Sequence, residues 1–331
     1  MYKKILIPID NSKYSRYCTS VGIALAEHFG SELTGSHVYS ANLHDRRFRD
    51  MEAGLPGHYQ EEERLKKSRK VHDSLIGDGL RMISDAYLEA FKKECRDADL
   101  SFKSRMIEGK NWLELVKEAR SSGYDLVIMG ILGLGAMNGN LIGSVCERVV
   151  RKVTTDIIVI KNDAPLSGRV VVAIDGSEQA FSALKKVLAL SKSFDLNIEV
   201  LSVYDPYFHR RAFQALAGVL SDEAGKMFRF KEQEKLHDEI IDDGLGKIYQ
   251  GHLDYAVRLG HAEGVDVKSR LLAGKAYDEI YKYLKKEPPS LLVVSRFGAH
   301  KTEEQDIGNT AENLLRLAPC NVLISCSPEG N

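Results

Sequence analysis

The chain lacks most of the features that announce a function. It has no dominant charge: 46 Lys and Arg against 47 Asp and Glu leave a formal net charge of −1. No broad field therefore draws in nucleic acid or anionic lipid. Its five cysteines (Cys18, Cys95, Cys146, Cys320, Cys326) are odd in number and never spaced as Cys-x2-Cys, indicating neither a disulfide framework nor a zinc site. No apolar run approaches the ~20 residues of a membrane span. The opening MYKKILIPID passes straight into a strand pattern without a secretory signal. The expectation is a cytoplasmic protein that binds neither nucleic acid nor membrane. What remains, 44% hydrophobic and 28% charged residues over 331 positions, suits an ordinary globular chain with two domains of about 160 residues.

What the chain does contain, it contains twice. A shift of 165 residues puts Asp10 on Asp175, Ser12 on Ser177, Gly109 on Gly274, Gly133 on Gly298 and Gly143 on Gly308, without a gap. Such a register means duplication, each copy burying its own core. In the first copy, apolar runs at Lys4–Asp10, Leu33–Tyr39, Phe102–Ile107, Asp125–Met129 and Ile157–Ile160 read as strands. Helices follow Ser12 to about Phe29, and cover Trp112–Arg120 and Ser144–Lys152. The second copy repeats the strands at Val170–Asp175, Ile198–Tyr204, Lys268–Ala273, Leu291–Ser295 and Asn321–Ser325. This alternation predicts an α/β fold of two tandem doubly wound parallel five-stranded sheets. The expected domains are 1–162 and 168–331, joined by the linker Asn162–Gly168.

Between the second and third strands of each copy lie roughly 60 residues, about 41–100 and 205–266, far more than a crossover needs. Ile76, Leu80 and Ile83 recur at helical spacing and are mirrored by Ile241, Leu245 and Ile248. A long helical hairpin standing off the sheet is expected in each copy.

Chemistry concentrates after the fourth strand. Gly130-x2-Gly133-x9-Gly143-Ser144 starts where that strand ends and finishes where a helix begins. Ligands of open α/β sheets settle beyond the carboxyl ends of strands. Glycines admit an anion close to backbone N–H groups, and the helix N-terminus adds about half a positive charge. Ser144 supplies a hydroxyl for a phosphate oxygen or a metal-bound water. Asp10, ending the first strand, faces the same crevice. The pattern points to a nucleotide, against the plainer alternative of a glycine turn needed only for helix–sheet packing.

PIDNS at Pro8–Ser12, HVY at His37–Tyr39 and MGILGLGAMNGNLIGSVCERVVRK at Met129–Lys152 resemble the universal stress protein family, in its ATP-binding branch. The resemblance covers both copies and implies a tandem member with a Rossmann-like fold; only the hairpins fall outside the usual domain. It implies that Asp10 holds the ribose or the adenine edge and that the backbone at Val38 meets adenine. Gly130 would lie by the ribose, while Gly133, Gly143, Ser144 and Val145 hold the phosphates with Mg2+ or Mn2+. It further implies a stress-response adaptor acting on an unidentified protein partner, with little or no catalysis. The two copies would form an intramolecular pseudo-two-fold pair, with a homodimer through the hairpins left open.

Two departures matter. Apart from Asn138 and Asn140, the loop after Gly130 is apolar or glycine (Ile131, Leu132, Leu134, Ala136, Met137). In the second copy Gly130 becomes Ser295 and Ser144 becomes Asn309, with Thr310 following. That loop also holds Glu303, Glu304 and Asp306, partly offset by Arg296 and Lys301. A carboxylate about 4 Å from a phosphate costs roughly 1 kcal/mol even in water. Asp175, Val203, Gly298, Gly308, Asn309 and Thr310 therefore make a weaker second site.

The insertions share His44, Arg46, Phe48, Arg64, Lys70, His72, Asp73, Asp78, Gly79 and Leu80 with His209, Arg211, Phe213, Arg229, Lys235, His237, Asp238, Asp243, Gly244 and Leu245. His72 lies on the apolar stripe, where a histidine needs a partner. It either bridges the hairpin or serves a binding surface. A metal is disfavoured because adjacent residues such as His72 and Asp73 diverge by about 100° on a helix. Cys146 is either a thiol activated by the helix dipole or a small packed residue. Trp112 is expected in the core, and Glu61–Glu63 with Lys66 and Lys67 on a solvated face. Two other functions compete with the adaptor. A slow ATPase or self-phosphorylating enzyme has against it the absence of a Walker-type lysine and of a base near the phosphates. The other is a nucleotide-free scaffold acting through the hairpins.

Overall fold

A computed structural model describes residues 1–137, 139, 141–206, 242–302 and 304–326. The chain divides into two units, Met1–Asp163 and Ala164–Asn331. In the first, β1 (Lys4–Pro8) leads into α1 (Lys13–Phe29), β2 (Glu32–Tyr39), α2 (Ala41–Met51) and α3 (Glu62–Asp97). Then come β3 (Phe102–Glu108), α4 (Asn111–Ser121), β4 (Leu126–Gly130), α5 (Ser144–Lys152) and β5 (Asp156–Ile160). The second unit runs β6 (Gly168–Ala173), α6 (Glu178–Leu190), β7 (Leu196–Tyr204), α7 (Asp242–Ala262) and β8 (Val267–Ala273). It closes with α8 (Ala276–Lys286), β9 (Leu291–Ser295), α9 (Asn309–Leu317) and β10 (Asn321–Ser325).

Both sheets are wholly parallel and share one strand order, β3-β2-β1-β4-β5 and β8-β7-β6-β9-β10. The central strands are the apolar ones. Ile5, Leu6, Ile7, Leu126 and Ile128 are fully buried, as strands covered by helices on both faces must be. The edge strand β3 instead carries exposed Lys103 and Arg105, charges that keep an open edge from pairing with another chain. Because β1 lies between β2 and β4, the order of winding reverses at β1/β4, and a crevice opens beyond their carboxyl ends.

Serine sets where the first helix of each unit begins. Ser12 Oγ accepts from the N–H of Ser15 at 3.2 Å, and Ser177 Oγ from that of Ala180 at 3.2 Å. Gly30 ends α1 in the left-handed conformation, at φ 62°.

The insertion of the first unit is not a hairpin standing clear of the sheet. The second half of α3 is the crossover helix itself, burying Ser84, Leu88, Phe91 and Cys95. The Phe91 ring lies against Gly35 of β2, where an added Cβ would come within 2.5 Å of it. The second unit has Ala256 and Val200 at these two positions, both buried, so the large and small partners are exchanged. The inner stripe of α3 passes from Ile76 and Leu80 to Ser84, leaving Ile83 exposed, as Ile248 is in α7. Only the part of α3 before about residue 80 extends past the sheet, held to α2 and the turns after it. There Arg69 gives two 2.6 Å hydrogen bonds to Glu52, and His72 stacks on Phe48 at 4.3 Å. His72 thus bridges the hairpin. Glu61, Glu62 and Glu63 are exposed. Residues 207–241, including the counterparts His209, Arg211, Phe213, Arg229, Lys235, His237 and Asp238, lie outside the described residues.

Two further expectations change. Trp112 is not core: it is half-buried, its ring flanked by the Lys110 ammonium at 5.6 Å and the Arg148 guanidinium at 5.8 Å. Cationic neighbours suit an indole face. Cys146 is no activated thiol. Burial pushes it up to about 12, overriding the dipole of its helix, and burial pushes Cys95 up to about 11. Since thiolate is the reactive form, iodoacetamide at pH 8 should leave both unmodified in the native chain and alkylate them once it is unfolded, as mass spectrometry would show.

Each unit buries one carboxylate under an arginine on its edge strand. Glu118 of α4 accepts from Ser36 at 2.6 Å and from Arg105 of β3 at 3.4 Å. In the second unit the acid sits on the strand: Glu199 of β7 accepts from Tyr283 at 2.6 Å and from Arg169 at 2.7 and 3.0 Å, with Arg270 at 3.6 Å. Burial works to raise the Glu199 carboxyl, but the bonds from Tyr283 and Arg169 outweigh it and hold it below the usual range. A depressed carboxylate stabilises above its unfolded pKa of about 4.3 and loses that contribution as pH falls through its folded value. Glu199→Gln should therefore cost about 1–3 kcal/mol at pH 7 by denaturant unfolding, with the gap to the parent closing below about pH 4.

Candidate functional site

The crevice at the β1/β4 switch is built on one carboxylate. Asp10 Oδ1 accepts from the N–H of Ser12 at 2.9 Å, and Oδ2 from the N–H of Leu134 at 3.2 Å. One side chain thus joins the turn after β1 to the loop after β4. Its own N–H donates to Ser15 Oγ at 3.1 Å. His37 Nδ1 donates to the Ile9 carbonyl at 2.6 Å, fixing the end of β1 from the neighbouring strand. Asp10 and His37 belong to motifs legible in the sequence, whereas Ser15 and Tyr14 carry no such signal.

The glycines make the close approaches possible. A Cβ on Gly133 would stand 2.9 Å from Asp10 Oδ2, and one on Gly130 2.6 Å from the Cβ of Tyr14. On Gly143 it would meet the Ile131 carbonyl at 3.2 Å. The N–H of Gly143 donates to that same carbonyl at 2.8 Å, closing the loop back to where it began. Gly143 is the N-cap of α5, with an extended φ of −73°.

No side chain among the described residues caps α5. The first turn of a helix leaves N–H groups without intrahelical partners. In α5 that turn begins with Ser144 and Val145, at the positive end of the helix dipole. Such an end accepts a phosphate readily. Among the described residues of the loop, Leu134, Met137 and Leu141 are exposed, Met137 at 76%, while Ile131 is buried and Leu132 half-buried. Asn138 and Asn140 lie outside the described residues. Val38 is buried on β2, paired in register with Ile107.

The second unit repeats the clasp and the loop closure, though Ala180 stands where Ser15 accepts from the N–H of Asp10. Asp175 Oδ1 accepts from the N–H of Ser177 at 3.0 Å, and Oδ2 from the N–H of Ala299 at 2.8 Å. Gly298 packs on Asp175 more tightly than any Cβ would allow. The N–H of Gly308 donates to the Arg296 carbonyl at 2.9 Å, and Gly308 is the uncapped start of α9. Ser202 Oγ takes the place of His37, donating to the Ile174 carbonyl at 2.7 Å.

What differs is the lining. Asn309 turns back along its helix, its Oδ1 accepting from Asn313 at 2.8 Å, where Ser144 in the first unit starts α5. Thr310 follows it within α9, and Val203 is buried on β7. Two rings from α7 crowd Asp175. His252 lies against Gly176 with no room for a Cβ between them. Tyr249 stands close enough that, after burial, the Asp175 charge also raises its hydroxyl. The first unit has Ser84 and Tyr87 at the corresponding positions.

Comparison with known proteins agrees with this double architecture. The sequence pattern of the universal stress protein family matches residues 1–161 and again 167–325. A universal stress protein of Methanocaldococcus jannaschii, MJ0577, is 28% identical over 162 residues, covering 49% of this chain and 96% of the relative. Another from the same organism, MJ0531, is 27% identical over 49% of this chain and 83% of its own length. A crystal structure of a universal stress protein from Archaeoglobus fulgidus shares the fold at TM-score 0.63, 17% identical, covering 98% of both chains. The chain belongs to the universal stress protein family and carries its domain twice, in tandem.

Proposed function

We propose that this chain is a nucleotide-responsive binding module whose first unit holds ATP with Mg2+. The observation that carries the reading is the uncapped N-terminus of α5 at the end of a loop that Asp10 ties down at Leu134, the described side chains of Leu134, Met137 and Leu141 being exposed. In this assignment the amides of Gly133, Gly143, Ser144 and Val145 hold the phosphates, and Ser144 adds its hydroxyl to the phosphate or to water on the metal. Asp10 and Gly130 flank the ribose, and the β2 backbone at Val38 meets the base. The bound cation would offset phosphate charge that no lysine or arginine of the described loop offsets.

The second unit keeps the frame but not the lining, which supports a weak or absent nucleotide site there. Asn309 accepts from Asn313, His252 packs on Gly176 beside Asp175, and Tyr249 lies near enough to feel the Asp175 charge. Nucleotide binding would bias the loop Gly130–Gly143, whose exposed Leu134, Met137 and Leu141 are what a protein partner would meet.

Thermal unfolding with Mg-ATP tests this. Ligand at 100 times its Kd stabilises by about 2.7 kcal/mol, a shift of roughly 5–10 °C for a domain of this size. Gly143→Asp places a side chain and a charge in the phosphate path and should abolish the shift; Gly308→Asp should leave it intact. A full shift surviving in Gly143→Asp would put the ligand elsewhere.

A further inference from the structure

We infer that the insertion of the first unit holds a divalent cation between α2 and α3, bound by Asp45, His72 and Asp73. One ligand atom from each of these residues lies within 4.8 Å of the others, the one such grouping of three among the described residues. The objection that His72 and Asp73 point apart on their helix is met by the third member. Asp45 comes from α2 and sits opposite His72, so the set spans a groove rather than a single helix face.

The contact between Asp45 and His72 is the telling one. Asp45 Oδ1 and His72 Nδ1 are 3.4 Å apart, and both atoms are buried without a hydrogen-bond partner. Buried polar atoms are almost always satisfied. Here two face each other at a distance too long and misdirected for a good hydrogen bond. Two ligands held about 2.1 Å from one tetrahedral ion stand about 3.4 Å from each other. A cation between them would satisfy both atoms at once. Stacking on Phe48 at 4.3 Å holds the His72 ring in place before any ion arrives. Asp73 is exposed and would supply the third ligand from the wet side, leaving a fourth position for water.

An imidazole with two carboxylates suits Zn2+ and neighbouring first-row ions rather than Mg2+ or Ca2+, which prefer oxygen alone. The duplication argues that the site is single. His72 and Asp73 recur as His237 and Asp238, but the position of Asp45 is taken by Arg210, a cation in place of a ligand.

The test is calorimetric titration of Zn2+ into the full chain after stripping with EDTA, without nucleotide. One saturable site is expected in the parent. His72→Gln should remove it, Asp73→Asn should weaken it at least tenfold, and His237→Gln should leave it unchanged. Asp73 makes no part of the Asp45–His72 contact and is exposed, so Asp73→Asn keeps the hairpin folded and separates metal binding from a simple His–Asp pair. Zn2+ affinity in Asp73→Asn equal to the parent's, or no saturable binding at all, would overturn the assignment.

Discussion

The carboxylate of Asp10 ties together two loops that the sheet merely brings near each other. Strand order places the turn after β1 and the loop after β4 on opposite lips of one crevice, but nothing in a parallel sheet fixes a 13-residue loop beyond it. Two amides donating to one carboxylate do so. Hydrogen bonds to a charged group are worth about 1.5–3 kcal/mol when shielded, less for a half-exposed pair such as this. That is enough to select one loop conformation. Gly133 must be glycine because the clasp passes through the space its side chain would take.

The duplicate shows which parts of this device are scaffold. Asp175, Gly298 and Gly308 rebuild the same bonds under a lining that has changed. The clasp is therefore part of the scaffold, and its survival in the second unit does not by itself signal a nucleotide. The two units differ in what sits around it: a serine at the helix start against an asparagine bonded to Asn313, and Ser84 against Tyr249. The same exchange of parts runs through the cores, where Phe91 over Gly35 answers Ala256 and Val200.

Much of this was legible in the sequence because it depends on local pattern. The buried strands announced themselves as apolar runs, Ser12 as the start of a helix, and the glycines as close approaches beside a strand end. What was not legible depended on contacts between distant residues. Asp45 carries no pattern of its own and gains meaning only when α2 folds onto α3 beside His72. Tyr249 and His252 read as ordinary helix residues until α7 is laid against Asp175. Ile83 matched the helical period yet faces solvent, because the stripe rotates from Leu80 onto Ser84 as α3 meets the sheet. Trp112 has the size of a core residue, but its place at the start of α4 sets it between two cations.

The proposed nucleotide site rests on amides at the start of α5 meeting a polyanion across from Asp10. Amide-resolved NMR of the full chain during addition of Mg-ATP tests that claim most directly. The account predicts large shifts at Gly133, Leu134, Ser144 and Val145, and little change at their counterparts Gly298, Ala299, Asn309 and Thr310. Unmoved amides at the start of α5, with shifts confined to another part of the chain, would contradict it.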